Sequence, residues 1–152
     1  MKKGSIYSFF VVFVVMTQQI YAQTIPSRLD IPSWIRMGMS LAQARGGAPN
    51  NKLVQRPDFA NEYIYAVGDD LHILTVEPNK GVVGLQYGIT YNVKTAIQEF
   101  TKVYGNPFLE SDTMIIWMDF KNHRNISAIK ITIHDNNFNY LNVDYFFSNY
   151  FE

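Results

Sequence analysis

Residues 23–152 run twice through the same order of elements: an apolar helical stretch, a Gly-x-Pro stop, then three strand-like runs. A shift of 58 residues carries Gly47-Ala48-Pro49 onto Gly105-Asn106-Pro107 and Leu71–Val76 onto Ile129–His134. The same shift carries Gly84-Leu85-Gln86-Tyr87 onto Asn142-Val143-Asp144-Tyr145. The first strand of each half does not obey it, because the loop after Pro49 is longer than the one after Pro107. Chance likeness among short apolar strands is the alternative reading. One helix and three strands cannot easily close a core alone, so two such units would share one sheet.

Each element has its own local signal. A first helix is expected over Ser33 to Arg45, with Trp34, Ile35, Met37, Met39, Leu41 and Ala42 as apolar surface. Gly46-Gly47-Ala48-Pro49 ends it. Residues 23–33 read as a short lead-in broken by Pro26 and Pro32, and residues 50–61 as a polar loop. Strands are expected at Glu62–Val67, Leu71–Glu77 and Val82–Ile89, separated by Gly68-Asp69-Asp70 and Pro78-Asn79-Lys80-Gly81. The second helix is the clearest element. Val93, Ala96, Ile97, Phe100, Val103 and Tyr104 form one apolar stripe at helical period. Asn92 is its N-cap, and Gly105 and Pro107 stop it. Strands follow at Thr113–Phe120, Asn125–His134 and Asn139–Phe147. In the last two, apolar and polar residues alternate, as in a sheet with one buried and one wet face. The expected fold is α+β: two helices on one face of a mainly antiparallel six-stranded sheet. It forms a single domain over 23–152, with repeats over about 33–89 and 92–148.

Residues 1–22 have the composition of a cleavable signal peptide. Lys2 and Lys3 precede an apolar run, Phe9 to Met16, and Ile20-Tyr21-Ala22 supplies a small residue at the cleavage position. The run is about eight residues, whereas a membrane-spanning helix needs roughly 20. A retained N-terminal anchor is the competing reading. Cleavage removes two of the 13 Lys and Arg and none of the 13 Asp and Glu, so the exported chain carries a slight negative excess. That excludes the basic footprint of a nucleic-acid binder. The chain has no cysteine, which rules out disulfides, thiol chemistry and Cys-based metal sites.

The last hairpin has a register that charge selects. With His134 opposite Tyr140, Thr132 faces Asn142 and Lys130 faces Asp144, an opposite-charge pair across the ladder. A one-residue slip would bring Lys130 beside Val143 instead. The isoleucines at 129, 131 and 133 then face the helices. Alternation alone leaves His72 and Trp117 on either face.

The segment Ala96 to Pro107 (AIQEFTKVYGNP), with the strands that run on through Tyr145, resembles the helix-then-antiparallel-sheet repeat of small bacterial envelope proteins. The beta-lactamase inhibitory protein family builds a curved sheet from two such repeats, and the SmpA/OmlA outer-membrane assembly lipoproteins use one similar unit. Met37-Gly38-Met39-Ser40-Leu41-Ala42-Gln43-Ala44 is similar to their short "G-small-T/S-x-x-x" helix start. The resemblance implies architecture and no functional residue. The chain departs from both families, lacking the disulfides common in the first and the lipidated cysteine of the second.

No motif for catalysis stands out. His72, His123 and His134 show no metal-ligand spacing. Asp69-Asp70 and Asp135-Asn136-Asn137 lack the further oxygen ligands of a calcium loop and read as turn residues. There is no Gly-x-Ser-x-Gly elbow, and Gly46-Gly47 is not followed by the Lys-Ser/Thr of a phosphate loop. Asp119 and Asp144 could share a face as paired carboxylates, but Lys130 already accounts for Asp144. No catalytic residue, metal or cofactor is therefore assigned, and the chain is read as a non-enzyme. The aromatics are more informative. Phe138, Tyr140, Tyr145, Phe146, Phe147, Tyr150 and Phe151 crowd the last 15 residues. Those that point away from the isoleucines are suited to protein contacts. Packing against the segment around Trp34, or over a sheet edge, is the alternative.

The expected function is an exported, periplasmic or secreted, protein-binding module, of an inhibitor or immunity type. The candidate face comprises Trp117, Lys130, Thr132, His134, Tyr140, Asn142, Asp144 and Phe146. The expected partner is another exported or envelope protein, with no nucleic acid and no membrane span after leader cleavage. An envelope-assembly or scaffold component, or a binder of small apolar ligands, are the other readings.

Overall fold

The computed structural model describes residues 25–118, 125–135 and 139–151. The leader expected at 1–22, Asp119, His123 and residues 136–138 of the last hairpin lie outside the described residues. The elements run α1 (Leu41–Gly47), a 3-10 turn at Pro49–Asn51, β1 (Val54–Gln55), β2 (Glu62–Val67), β3 (Asp70–Glu77) and β4 (Gly81–Thr90). They continue with α2 (Val93–Tyr104), β5 (Leu109–Glu110), β6 (Met114–Met118), β7 (Ile126–Asp135), β8 (Tyr140–Phe147) and a 3-10 turn at Ser148–Tyr150. The eight strands form one antiparallel sheet in the order β1-β2-β3-β4-β8-β7-β6-β5. No helix among the described residues is long and apolar enough to cross a membrane.

The sheet corrects the expected six strands to eight. The two additional strands, β1 and β5, are each two residues long and exposed, and each lines the outer edge of one meander. Two residues carry no readable period. Short edge strands also leave little backbone open to edge-to-edge pairing.

The first helix is also shorter than its apolar content suggests. It begins where Ser40 caps it: Ser40 Oγ accepts from the Gln43 N–H at 3.2 Å, and Gln43 Oε1 accepts from the Ser40 N–H at 2.8 Å. Gly38, at φ +73°, breaks the chain before that cap. By contrast α2 has the limits its stripe predicts. Asn92 Oδ1 accepts from the Thr95 N–H at 2.8 Å, and Gly105 closes the helix at φ +80°.

The lead-in is the larger correction. The lead-in expected over 23–33 and the first half of the expected helix instead form one stretch, residues 25–39, that crosses the core face of the sheet as a series of turns. Ile25, Leu29, Ile31, Ile35 and Met39 are all buried in the main core. Pro26 and Pro32 begin turns closed by the Leu29 and Ile35 N–H groups, at 2.8 and 3.0 Å. The segment is stitched to β4 by two hydrogen bonds of 2.9 Å, Gly38 N–H to the Val82 carbonyl and Val82 N–H to that of Met39. Gly81, at φ +72°, permits this approach, because a Cβ there would overlap the Gly38 carbonyl.

One face of the sheet is therefore covered by three pieces: α1 through Ala44, α2 through Phe100, and the N-terminal segment. The 58-residue shift acquires a spatial meaning at the centre, where β4 pairs with β8. Gln86 lies opposite Asp144, 58 residues on. Tyr87 and Tyr145, also 58 apart, both donate their hydroxyl to the Leu29 carbonyl, each at 2.5 Å.

Candidate functional site

The opposite face of the sheet carries no helix among the described residues. Strand register defines what stands on it, since directly paired residues share a face. One row crosses six strands as Ile64, Ile73, Gln86, Asp144, Lys130 and Ile116. Beside it run Thr75, Gly84, Phe146, Ala128 and Met118 on one flank, with Asn142, Thr132 and Met114 on the other. The outer strands of the face carry mainly apolar side chains, and its central strands mainly polar ones.

That centre is built on Asp144, which is only 4% exposed. Gln86 Nε2 donates to its Oδ1 at 2.5 Å, and Lys130 Nζ lies 2.8 Å from its Oδ2. The lysine meets Oδ2 as an ion pair, at an angle too poor for a well-formed hydrogen bond. Its ammonium also sits 5.9 Å from the ring centre of Phe146. A shallow cleft of about 350 Å³ opens here, lined by Ile73, Thr75, Gln86, Lys130, Asp144 and Phe146. The C-terminal turn closes one side. Tyr150 meets Phe146 edge-on at 5.1 Å, and Phe151 meets Tyr150 at 5.0 Å. Asn149 anchors that turn by donating from Nδ2 to the carbonyls of Lys80 and Val82.

Seven of the eight candidate residues stand on or beside this face. Lys130 faces Asp144 and Thr132 faces Asn142, in the register that charge selects. His134 departs from it. The ladder runs Ile133 to Leu141 and then Asp135 to Tyr140, so His134 is the extra residue of a bulge rather than the partner of Tyr140. The rings of His134 and Tyr140 still lie 5.5 Å apart. Tyr140 is 43% exposed, and its hydroxyl lies where a Cβ on Gly88 would be 2.5 Å away, so Gly88 makes room for it.

Trp117 must be removed from the set. It pairs with Ile129, faces α2, is fully buried, packs 5.4 Å from Phe100 and donates from Nε1 to the Gly105 carbonyl at 3.0 Å. Met114-Ile115-Ile116-Trp117-Met118 is apolar at every position, so alternation could not orient it. The carbonyl that satisfies its indole comes from the end of α2, twelve residues upstream.

Gln86, Ile64, Ile73 and Ile116 were not anticipated as part of the face. The 58-residue shift held the signal for Gln86, since it maps onto Asp144. The crowded C-terminal aromatics divide: Tyr145 and Phe147 are core, whereas Phe146, Tyr150 and Phe151 form the cluster on the open side.

The two described histidines do not converge. His72 lies on the core face, stacked 4.8 Å from Tyr87, while His134 stands on the other side. Burial pulls the His72 pKa below its usual value, and Asp70 partly offsets this. Burial likewise raises the phenol pKa values of Tyr65, Tyr87 and Tyr145, which keeps their hydroxyls protonated as donors. Among the described residues no group of three or more His, Asp or Glu side chains is placed to hold a metal ion.

No protein-family model, no curated protein and no solved structure gives a significant match to this chain.

Proposed function

We propose that the chain is an exported, non-catalytic module that binds another protein through the open face of its sheet. The observation that carries this reading is a sheet face, uncovered among the described residues, with isoleucines on its outer strands and Gln86 and Lys130 around the buried Asp144 at its centre. Apolar residues and aromatic anchors around a polar centre match the anatomy of protein interfaces. Lys130, Thr132, His134, Tyr140, Asn142, Asp144 and Phe146 contribute to it, together with Ile73, Gln86 and Ile116. The partner is another exported or envelope protein, and an inhibitor or immunity role is the form of binding this reading favours. Export rests on the leader pattern of residues 1–22.

The test is affinity capture from an envelope and culture-supernatant fraction. Wild-type protein is compared with an Ile116→Asp/Tyr140→Ala variant and with a Lys94→Ala control on α2. A specific partner is retained by wild type and control and lost from the open-face variant. Equal retention by all three removes this face from the function.

A further inference from the structure

We propose that the partner seats one tyrosine side chain in the cleft beside Asp144, with its hydroxyl at the buried carboxylate and its ring against Ile73, Phe146 and Tyr150. This rests on the open face as the docking surface and names the group that docks.

The cleft exists because β4 carries glycine where its neighbours carry side chains. Thr75 and Phe146 both pair with Gly84, so the space between them over β4 is left open. Ile73 and Tyr150 extend its walls. A volume of about 350 Å³ is at the small end for a ligand pocket and suits one inserted side chain.

Its floor holds the polar atom that sets the chemistry. Asp144 Oδ1 accepts from Gln86, but Oδ2 is shut off from solvent and has no hydrogen bond among the described residues. Buried carboxylate oxygens are normally hydrogen-bonded, so Oδ2 is an acceptor in want of a donor. Beside it lies the Lys130 ammonium, 2.8 Å away, a third exposed and on a long flexible stem. A small swing of that head admits a donor to Oδ2 and leaves the ammonium able to donate to the newcomer. The group that fits has a hydrogen to give and a lone pair to accept with, which a hydroxyl supplies.

Charge and shape narrow the occupant further. Lys130 offsets Asp144, and Glu62 on the rim is matched by Arg56 at 2.5 Å. A further buried charge would have no counterpart, so the occupant is neutral. Walls made by Ile73, Phe146 and Tyr150 favour a ring over serine or an amide. A ring that carries a hydroxyl is tyrosine, a frequent interface anchor.

The intact protein is titrated with para-cresol (the tyrosine side chain), anisole and benzylamine, and isoleucine methyl signals are followed by NMR. Para-cresol is expected to shift the Ile73 signal saturably, with a Kd on the order of 1 mM, and to leave the core Ile129 unmoved. Anisole, which has no hydroxyl hydrogen, and benzylamine, which is charged, are each expected to bind at least about fivefold more weakly. Lys130→Met combined with Asp144→Leu is expected to reduce the preference for para-cresol over anisole to within about twofold, while Ile129 reports an intact fold. Tyr150→Ser is expected to weaken para-cresol about threefold. No saturable shift at Ile73, equal or tighter binding of anisole or benzylamine, a preference that survives the double variant, or indifference to Tyr150→Ser would each overturn the assignment. Ile116 and Tyr140, the positions changed in the capture experiment, do not line the cleft. Capture that depends on them without para-cresol binding would overturn the tyrosine and keep the face. Para-cresol binding with capture indifferent to the face would overturn the partner as the source of the tyrosine.

Discussion

The two faces of the central β4–β8 pair use the same strands and reach opposite ends. On the covered face, Tyr87 and Tyr145 direct their hydroxyls at one carbonyl of the N-terminal segment, and Leu29 fills the space between sheet and solvent. On the open face, one residue along from Tyr87 and from Tyr145, Gln86 and Asp144 meet each other and Lys130. Both centres are polar, and at the open one Asp144 Oδ2 has the Lys130 ion pair but no hydrogen bond among the described residues. The difference is the cover: one is closed by the protein's own chain, and the other only by the edge of the C-terminal turn. A polar centre under a cover serves packing, whereas a polar centre left open is available for recognition.

The comparison is most directly broken at Leu29. If the N-terminal segment is core, Leu29→Ala costs about 3 kcal/mol by loss of buried methylenes and the cavity left behind. Urea denaturation measures this, and a loss below about 1 kcal/mol would return the segment to the surface. Next in size is Lys130→Ala, which leaves the buried Asp144 carboxylate with only Gln86. The ammonium is a third exposed, so the expected cost is about 2 kcal/mol, at the low end for a broken buried pair. Lys130→Met combined with Asp144→Leu should recover most of that loss, because no unpaired charge remains. A double-mutant cycle with no coupling would show that the pair is not formed.

Tyr87→Phe and Tyr145→Phe probe the covered centre, each at about 1 kcal/mol. The two share one acceptor, so each single variant leaves the Leu29 carbonyl satisfied by the other hydroxyl, and the double variant, which leaves it unpaired, is expected to cost more than the sum of the singles. The pH dependence is a finer probe. His72 binds its proton more weakly when folded than when unfolded. Its contribution is therefore fully present above about pH 6.5 and is lost progressively as pH falls below it. Comparing unfolding midpoints at about pH 7.5 and pH 5.5, wild type should lose more stability on acidification than His72→Phe. Equal slopes would place His72 in solvent. The smallest stability effect belongs to the open face. Tyr140→Ala should change stability by no more than about 0.5 kcal/mol while weakening partner capture. A large loss of stability would make that ring structural.

Local signals made much of this fold legible. The stripe from Val93 to Tyr104, the Asn92 cap and the Gly105 stop specify α2 because all their interactions lie within one helix. The Lys130–Asp144 register was readable because opposite charges at matched positions of one hairpin are adjacent in sequence terms. Where local patterns are silent, long-range packing decided. Ser33–Arg45 has enough apolar residues for a helix, but Gly38 and the Ser40–Gln43 cap confine the helix to the second half. The residues before it are spent on the core instead. His134 slipped out of its expected pair because a bulge adds one residue to β7, a feature no alternation announces.

The amino-acid order by itself determined the two-fold sequence of helix and strands, the turns between them and the inward side of the isoleucine strand, since these depend on neighbours within a few residues. Only the tertiary structure decided that Trp117 faces inward, that residues 25–39 complete the core and that Gln86 joins Asp144. Each of those depends on groups brought together from distant parts of the chain, where burial and hydrogen-bond satisfaction outweigh any local preference.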